Sequence, residues 1–455
     1  MSSAMSQNDL LLAYYGDDFT GSTDAMEAMT AAGVPSVLFL DVPDPEMLAR
    51  FPHARCVGIA GSSRGRSPEW MEQELPRALN ALARLGAPIL HYKVCSTFDS
   101  SPTIGSIGKA IDIGIKTMHG RWSPSIVGAP RLKRYQVFGN LFAMVDSVGY
   151  RLDRHPTMSR HPVTPMAEAD LRRHLSAQTQ RRIELVDMVQ LRQGKAAQRL
   201  DAIQGDDVPV VMIDVLDDET LLAAGRLIWE HRAEGVFSAS SSGLQYALTS
   251  YWRSEGLLPA EPSVSVAGSV PSIAVVSGSC SPVTASQIQW ARKNGFHTER
   301  LQLANALNDH TRSDEIERVV QIGVKAISDG TSVIVFSAEG PDDPSVLAFD
   351  ETARNNGLCR ADAARQVGAV LAEVMRRLLD EVDLRRVVVA GGDSSGEVAS
   401  ALEIEALTIA SGLTPGAPLC RAWSRVPRRD GIEIVLKGGQ MGDAGFFGLV
   451  RDGAM

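Results

Sequence analysis

Short apolar runs alternate along this chain with longer stretches whose apolar positions recur every three or four residues, the periods of buried strands and one-sided helices. Residues 10–15 read as a buried strand, 22–32 as a helix stopped by Gly33, and 37–40 as the next strand. Strand 57–60, helix 68–85 and strand 89–94 follow, and later strands at 208–214 and 235–239 flank a helix at 218–234. The stretch 256–270 has no period and is rich in Pro, Ser, Gly and Val, so it reads as a linker. The alternation then restarts with strand 273–276, helix 284–294, strand 332–336, helix 360–379 and strands 386–390 and 432–436. Strand, helix, strand in this order predicts parallel pairing through right-handed crossovers. The expected fold is α/β in two domains, 1–255 and 271–455, each with a mostly parallel sheet flanked by helices and with the active site in the cleft between them.

Composition narrows the class. At 455 residues the chain is longer than one core usually grows, and no apolar run approaches the ~18 residues of a membrane span. The first nine residues carry no Lys or Arg, a poor secretion signal. Five scattered cysteines without a Cys-x-x-Cys pair argue against a disulfide frame or a zinc site and fit a reducing cytoplasm. A net charge of −9 offers no field for nucleic acid or a membrane surface, so an anionic substrate must be held by local basic residues. The pattern gives no oligomeric state.

Candidate chemistry gathers at strand ends. Val387-Val388-Val389-Ala390 runs into Gly391-Gly392-Asp393-Ser394-Ser395-Gly396, with a helix expected from 397 to 402. Small residues between a strand and a helix let backbone N–H groups approach a phosphate. The plainer reading is a corner in which glycines only permit packing. Two more such turns follow strands in the same half: Ser277-Gly278-Ser279-Cys280-Ser281, leading to Thr284 and Gln287, and Lys437-Gly438-Gly439-Gln440. Three loops of this kind in one domain are hard to explain by packing alone. Cys280 sits among hydroxyls at a helix start, a place where a thiol pKa can fall, yet it reads better as a small wall residue.

In the N-terminal half, Gly16-Asp17-Asp18-Phe19-Thr20-Gly21-Ser22 puts adjacent carboxylates at the carboxyl end of the first strand, where open α/β sheets bind ligands. Neighbouring residues there point different ways, so one carboxylate suits proton acceptance from a hydroxyl and the other ligand binding. A helix N-cap is the plain alternative for Asp18, Thr20 or Ser22. Lys93, ahead of Ser96 and Thr97, suits a carboxylate or phosphate, and those hydroxyls suit a sugar. The stretch 151–161 holds Arg151, Arg154, His155, Arg160 and His161, the most basic in the chain. It suits anion capture or a solvated loop, and it lacks the third ligand a metal site needs.

These motifs occur in order, and together they resemble the four-carbon acid sugar kinases over nearly the whole chain: Asp17-Asp18-Phe19-Thr20-Gly21 with Asp24, Lys93 with Ser96-Thr97, Ser277 to Ser281 with Thr284 and Gln287, Gly391 to Gly396, and Lys437-Gly438-Gly439. The resemblance implies an N-terminal domain for the acid sugar and a C-terminal domain for ATP. It places nucleotide contacts at Ser279 or Ser281, at Gly391, Gly392, Asp393, Ser394 and Ser395, and at Gly438 or Gly439. It implies phosphoryl transfer from ATP with Mg²⁺ to a hydroxyl of a small sugar acid. Asp17 or Asp18 would act on that hydroxyl, with Asp393 an alternative base or metal partner. The turn after Lys93 departs from the family: Cys95-Ser96-Thr97-Phe98-Asp99-Ser100-Ser101 lacks an Arg and an Asn common there. If that arginine steadies a carboxylate, Arg64, Arg154 or His155 is its candidate replacement. Threonate, erythronate, 3-oxo-tetronates and the branched 3-oxo-isoapionate are the expected substrates. Two other classes stay open: a nicotinamide dehydrogenase, disfavoured because no spaced Gly-x-Gly-x-x-Gly follows the first strand, and a silent metabolite sensor.

Overall fold

The computed structural model describes residues 9–145, 147–161, 163–203, 205, 207–259 and 266–453. The chain forms two compact units, 1–263 and 264–455. The expected linker 256–270 lies partly outside the described residues.

In the first unit, strands β1 (Leu12–Gly16), β2 (Ser36–Phe39), β3 (Cys56–Ala60) and β4 (Ile89–Lys93) belong to the main sheet. Between them and its last strand the chain forms β5 (Ser123–Ser125), β6 (Arg134–Val137), β7 (Asn140–Val145), β8 (Val148–Arg151), β9 (Ile183–Val186) and β10 (Val210–Ile213), before returning as β11 (Val236–Ser240). The main sheet runs β11-β4-β1-β3-β2, parallel throughout. All residues of β1, β2, β4 and β11 are buried, which is why these strands lack the apolar–polar alternation of a half-exposed sheet. Helix Pro68–Ala83 shows how the local code works: Ser67 caps it, Pro68 opens it, and Met71, Leu75, Ala78, Leu79 and Leu82 fall on one buried face. Burying a leucine there stabilises the fold by about 1.5–3 kcal/mol.

The strand expected at 208–214 forms, as β10, but in a separate parallel sheet of order β5-β10-β9. Serine hydroxyls join β5 to the edge of the main sheet. Ser123 Oγ donates to Phe237 O at 2.8 Å, Ser125 Oγ to Ala239 O at 2.6 Å and Ser238 Oγ to Pro124 O at 2.8 Å. A third, antiparallel sheet, β6-β7-β8, fills the middle of the region around 120–165 that the pattern left unread.

In the second unit β12 (Ala274–Ser277), β13 (His297–Arg300), β14 (Val333–Phe336) and β15 (Arg386–Ala390) pair in parallel, with β18 (Glu433–Lys437) beside β15. Strands β16 (Ile404–Thr414) and β17 (Ala417–Ser424), absent from the sequence reading, add an antiparallel flank in the order β16-β17-β18-β15-β12-β14-β13. The helix expected from 397 instead begins at Gly392, so the glycine–serine turn is its first turn.

Candidate functional site

In each unit the strand order reverses beside the first strand. In the first unit the chain crosses from β1 to β2 and β3 on one side, then returns to β4 on the other, which opens a crevice at the carboxyl ends of β1 and β4. Asp17 and Lys93 stand at those ends, and the Asp17 N–H donates to Lys93 O at 2.9 Å. Arg64, in the 3-10 turn Ser63–Gly65 after β3, reaches across with Nη2 2.8 Å and Nε 3.3 Å from the Asp17 carboxylate. Its Nη1 lies 2.8 Å from Asp18 Oδ2. One guanidinium therefore grips both carboxylates.

The two aspartates are in different surroundings. Asp17 has a side chain 6 % exposed, and burial pushes its carboxyl up to about 6 against the opposing pull of Arg64. Asp18 is 30 % exposed and caps helix Phe19–Ala31, its Oδ1 accepting from Gly21 N at 2.7 Å. A Cβ on Gly21 would stand 2.3 Å from that oxygen and 2.8 Å from Lys93 Nζ, so only glycine leaves room for both. Lys93 is buried, yet its ammonium pKa is raised: burial opposes the charge, and Asp24, Asp18 and Asp17 outweigh it. Asp24 Oδ2 lies 3.5 Å from Lys93 Nζ and also accepts from Ser242 Oγ.

The altered turn after β4 lies at the same edge. Thr97 Oγ1 donates to Asp99 Oδ1 at 2.5 Å, and Cys95 Sγ is 3.0 Å from Thr97 Oγ1. Burial disfavours the Asp99 charge, but the Thr97 hydroxyl and Arg64 hold its carboxyl below the usual range. Phe98, fully buried, sits at φ 55°, a left-handed conformation uncommon for an aromatic residue. Thr20 and Ser96 are half-buried at the same strand ends. Among the described residues no hydrogen bond or ion pair ties Arg154, exposed in the turn Leu152–Arg154 after β8, to this cluster. His155 is buried there, and its Nδ1 accepts the Thr157 and Met158 N–H groups at 3.2 Å, a local capping role.

In the second unit the reversal falls between β12 and β15, and hydrogen bonds tie the three small-residue loops together. Gly278 N donates to Ala390 O at 3.0 Å, and Gly391 N to Lys437 O at 2.9 Å. Gly391 takes φ 137°, a conformation open to glycine. Thr284 Oγ1 donates to Gly439 O at 2.9 Å, and Gln287 Nε2 donates to Met441 O and Asp443 O at 2.9 Å each. Ser281 caps helix Pro282–Lys293, Ser279 Oγ accepts from Ser281 N at 3.2 Å, and Ser395 Oγ donates to Gly391 O at 2.8 Å. A Cβ on Gly439 would stand 2.5 Å from Ser279 Oγ, which measures how closely the first and last loops approach. Gly438 is half-buried beside it. The side chains of Asp393 and Ser394 lie outside the described residues, as does Gly392 beyond its place in the helix. Burial raises the Cys280 thiol, so the helix start does not activate it. Sequence reasoning gave Asp24 and Thr284 only as parts of motifs and assigned Lys437 nothing. A lysine closing the apolar run Ile434-Val435-Leu436 was the available signal for the last.

Comparison with known proteins agrees with this division. A sugar-binding N-terminal domain family matches residues 12–248, and a nucleotide-binding C-terminal domain family matches residues 274–447. The chain is 69 % identical over 446 residues to a 3-oxo-isoapionate kinase of Paraburkholderia graminis, covering 98 % of this chain and 95 % of that one. It is 29 % identical to a 3-oxo-tetronate kinase of Pseudomonas savastanoi pv. phaseolicola, covering 96 % of each. Among solved structures, a Salmonella typhimurium LT2 protein described provisionally as a tRNA synthase superposes with a TM-score of 0.77 at 26 % identity, over 96 % of this chain and 97 % of that one. With the two family models falling one on each unit and a kinase relative at 69 % identity, the chain belongs to the acid sugar kinase family.

Proposed function

We propose that this protein transfers the γ-phosphoryl group of ATP to a hydroxyl of 3-oxo-isoapionate, a branched small sugar acid. The observation that carries the substrate is the 69 % identity to a 3-oxo-isoapionate kinase across 98 % of the chain, against 29 % to a 3-oxo-tetronate kinase. The altered turn Cys95 to Ser101 supports an acceptor pocket unlike that of the wider family.

In this reading the first unit holds the sugar acid and the second the nucleotide. Asp18 is the carboxylate that meets the hydroxyl, because it is the more exposed of the pair, with Oδ1 held by the helix cap and Oδ2 turned to Arg64. Asp17, buried, positions Arg64. Lys93 and Arg64 supply positive charge for the substrate carboxylate, and Thr20, Ser96 and Thr97 supply hydroxyls for its oxygens. Arg154 and His155 make no bond to this set, and they stay candidates for the substrate carboxylate, since the Arg134 charge that bears on His155 also faces Cys95. On the nucleotide side, Ser279, Ser281, the first turn of helix Gly392–Ala401 and the Gly438–Gly439 backbone offer donors to phosphate oxygens. Asp393 stays an alternative base or metal partner.

Among the described residues no three His, Cys, Asp or Glu side chains are grouped to hold a metal ion. In this reading Mg²⁺ enters on the ATP phosphates, where it would offset their charge. The chain's own contribution is positioning: the hydroxyl must lie in line with the γ-phosphate and away from water.

A coupled ADP-release assay with ATP and Mg²⁺, run on 3-oxo-isoapionate beside 3-oxo-tetronates, threonate and erythronate, tests this. The expected result is highest kcat/KM on the branched acid and a loss of about 10²–10⁴-fold in Asp18→Asn with ATP affinity kept. Higher kcat/KM on a four-carbon acid would overturn the substrate. ATP binding without turnover on any acid would favour a sensor.

A further inference from the structure

Lys437 is the last residue of β18, and its side chain is fully buried. Its Nζ donates to Thr284 Oγ1 at 3.2 Å and lies 5.8 Å from the centroid of the Phe446 ring. Among the described residues no carboxylate pairs with it, and one of its three donors is used. Lys93, equally buried in the first unit, has Asp24 within 3.5 Å. Its pKa is raised, whereas burial alone lowers that of Lys437 to about 8. A buried cation without a partner is strongly disfavoured, and an arriving anion removes the penalty. The surroundings of Lys437 suit an anion. Its own carbonyl accepts from Gly391 N, and its partner Thr284 holds Gly439 O, so the ammonium lies where the three small-residue loops meet.

We propose that the Lys437 ammonium is the phosphate-binding cation of the nucleotide site, pairing with the polyphosphate of ATP and of ADP. This rests on reading the three loops of the second unit as the nucleotide site. Thr284 then has two tasks, orienting Nζ and fixing the Gly439 carbonyl. No titratable side chain among the described residues shifts Lys437: helix Pro282–Lys293 presents Thr284, and helix Phe446–Asp452 presents Phe446. Of the nearby acids, Asp443 Oδ1 accepts from Gly445 N, and the Asp393 side chain lies outside the described residues. The sign of the pH effect follows. Near pH 8 about half the free lysines are neutral, and pairing with phosphate draws the proton back. Nucleotide binding should therefore take up roughly half a proton more in the wild type than in Lys437→Met at pH 8, and about the same number in both at pH 6.5, where the terminal phosphate itself titrates.

Titration calorimetry of ATP, ADP and adenosine, in two buffers of different ionisation enthalpy at pH 6.5 and 8.0, reads both effects. In Lys437→Met, ATP and ADP should weaken by about 10- to 100-fold with adenosine unchanged, and the extra proton uptake at pH 8 should vanish. The melting temperature of the nucleotide-free variant should not fall, since an unpaired buried charge is gone. Equal weakening of adenosine would make Lys437 a support for the loops and overturn the proposal, as would unchanged ATP affinity. If Lys437→Met fails to fold, Lys437→Gln takes its place, and failure of both would overturn the proposal in favour of a structural lysine. Absence of ATP binding in the wild type would instead overturn the nucleotide reading itself.

Discussion

At the scale of single residues, the chemistry turns on how two neighbouring carboxylates come to differ. Asp17 and Asp18 share Arg64, but Asp17 is held in the interior and Asp18 at a helix start, partly in solvent. Burial raises Asp17 to about 6 from an ordinary 3.8, so it is ionised at neutral pH and gains its proton as the pH falls through about 6. Protonation removes the charge that orients Arg64. The kcat/KM of the wild type should therefore fall on the acid side with an apparent pKa near 6, and Asp17→Asn should lose that limb and stay at a low, flat rate. A pH profile of both proteins measures it; an unchanged acid limb in Asp17→Asn would assign the titration to another group. The carboxylate pair at the strand end was legible in the sequence. The sharing of Arg64 was not, because the two sides of that contact lie 47 residues apart and meet only through the parallel pairing of β1 with β3.

At the scale of elements, the antiparallel insert β6-β7-β8 shows why some structure escaped the pattern. Its first hairpin turns at Phe138-Gly139 with φ of 49° and 76°, where the usual local signal is Asn-Gly or Asp-Gly. The turn is held from outside. Asp214, just past β10, accepts from Phe138 N at 2.5 Å, Gly139 N at 2.9 Å and Met188 N at 3.2 Å, and burial pushes its carboxyl up to about 6. A tertiary hydrogen-bond acceptor here replaces the turn-forming side chain. Asp214→Ala should leave three N–H groups without their acceptor and cost about 2–4 kcal/mol of stability. Urea unfolding gives that figure, and hydrogen exchange should show loss of protection centred on 137–142. Protection retained there would mean the hairpin holds itself. The flank β16-β17 escaped for a different reason: its registers shift between Ile404 and Ala406 and again after Ile409, which breaks the two-residue alternation a strand reading relies on.

At the scale of the whole molecule, the chain folds as two units, each with its own reversal of strand order. The ligands are expected to divide the same way. Peptide-level hydrogen exchange with a non-hydrolysable ATP analogue should slow exchange at 277–284, 391–396 and 437–441, and the sugar acid alone should slow it at 15–24 and 91–100. Protection of the first-unit segments by the nucleotide alone would reverse the assignment of the units.

What the sequence determined by itself is the alternation of buried strands and one-sided helices, the capped helix starts, and the strand-end loops that carry chemistry. Each is written within a few residues, at the range over which caps, turns and apolar periods act. The tertiary structure decided the order of strands in each sheet, the placing of β10 in a separate sheet, and the antiparallel additions. It also decided which charges meet: Arg64 with two aspartates, Lys93 with Asp24, and Lys437 with no acid among the described residues. A charge's partner and its degree of burial depend on contacts between segments far apart in the chain, and local propensity carries no record of those.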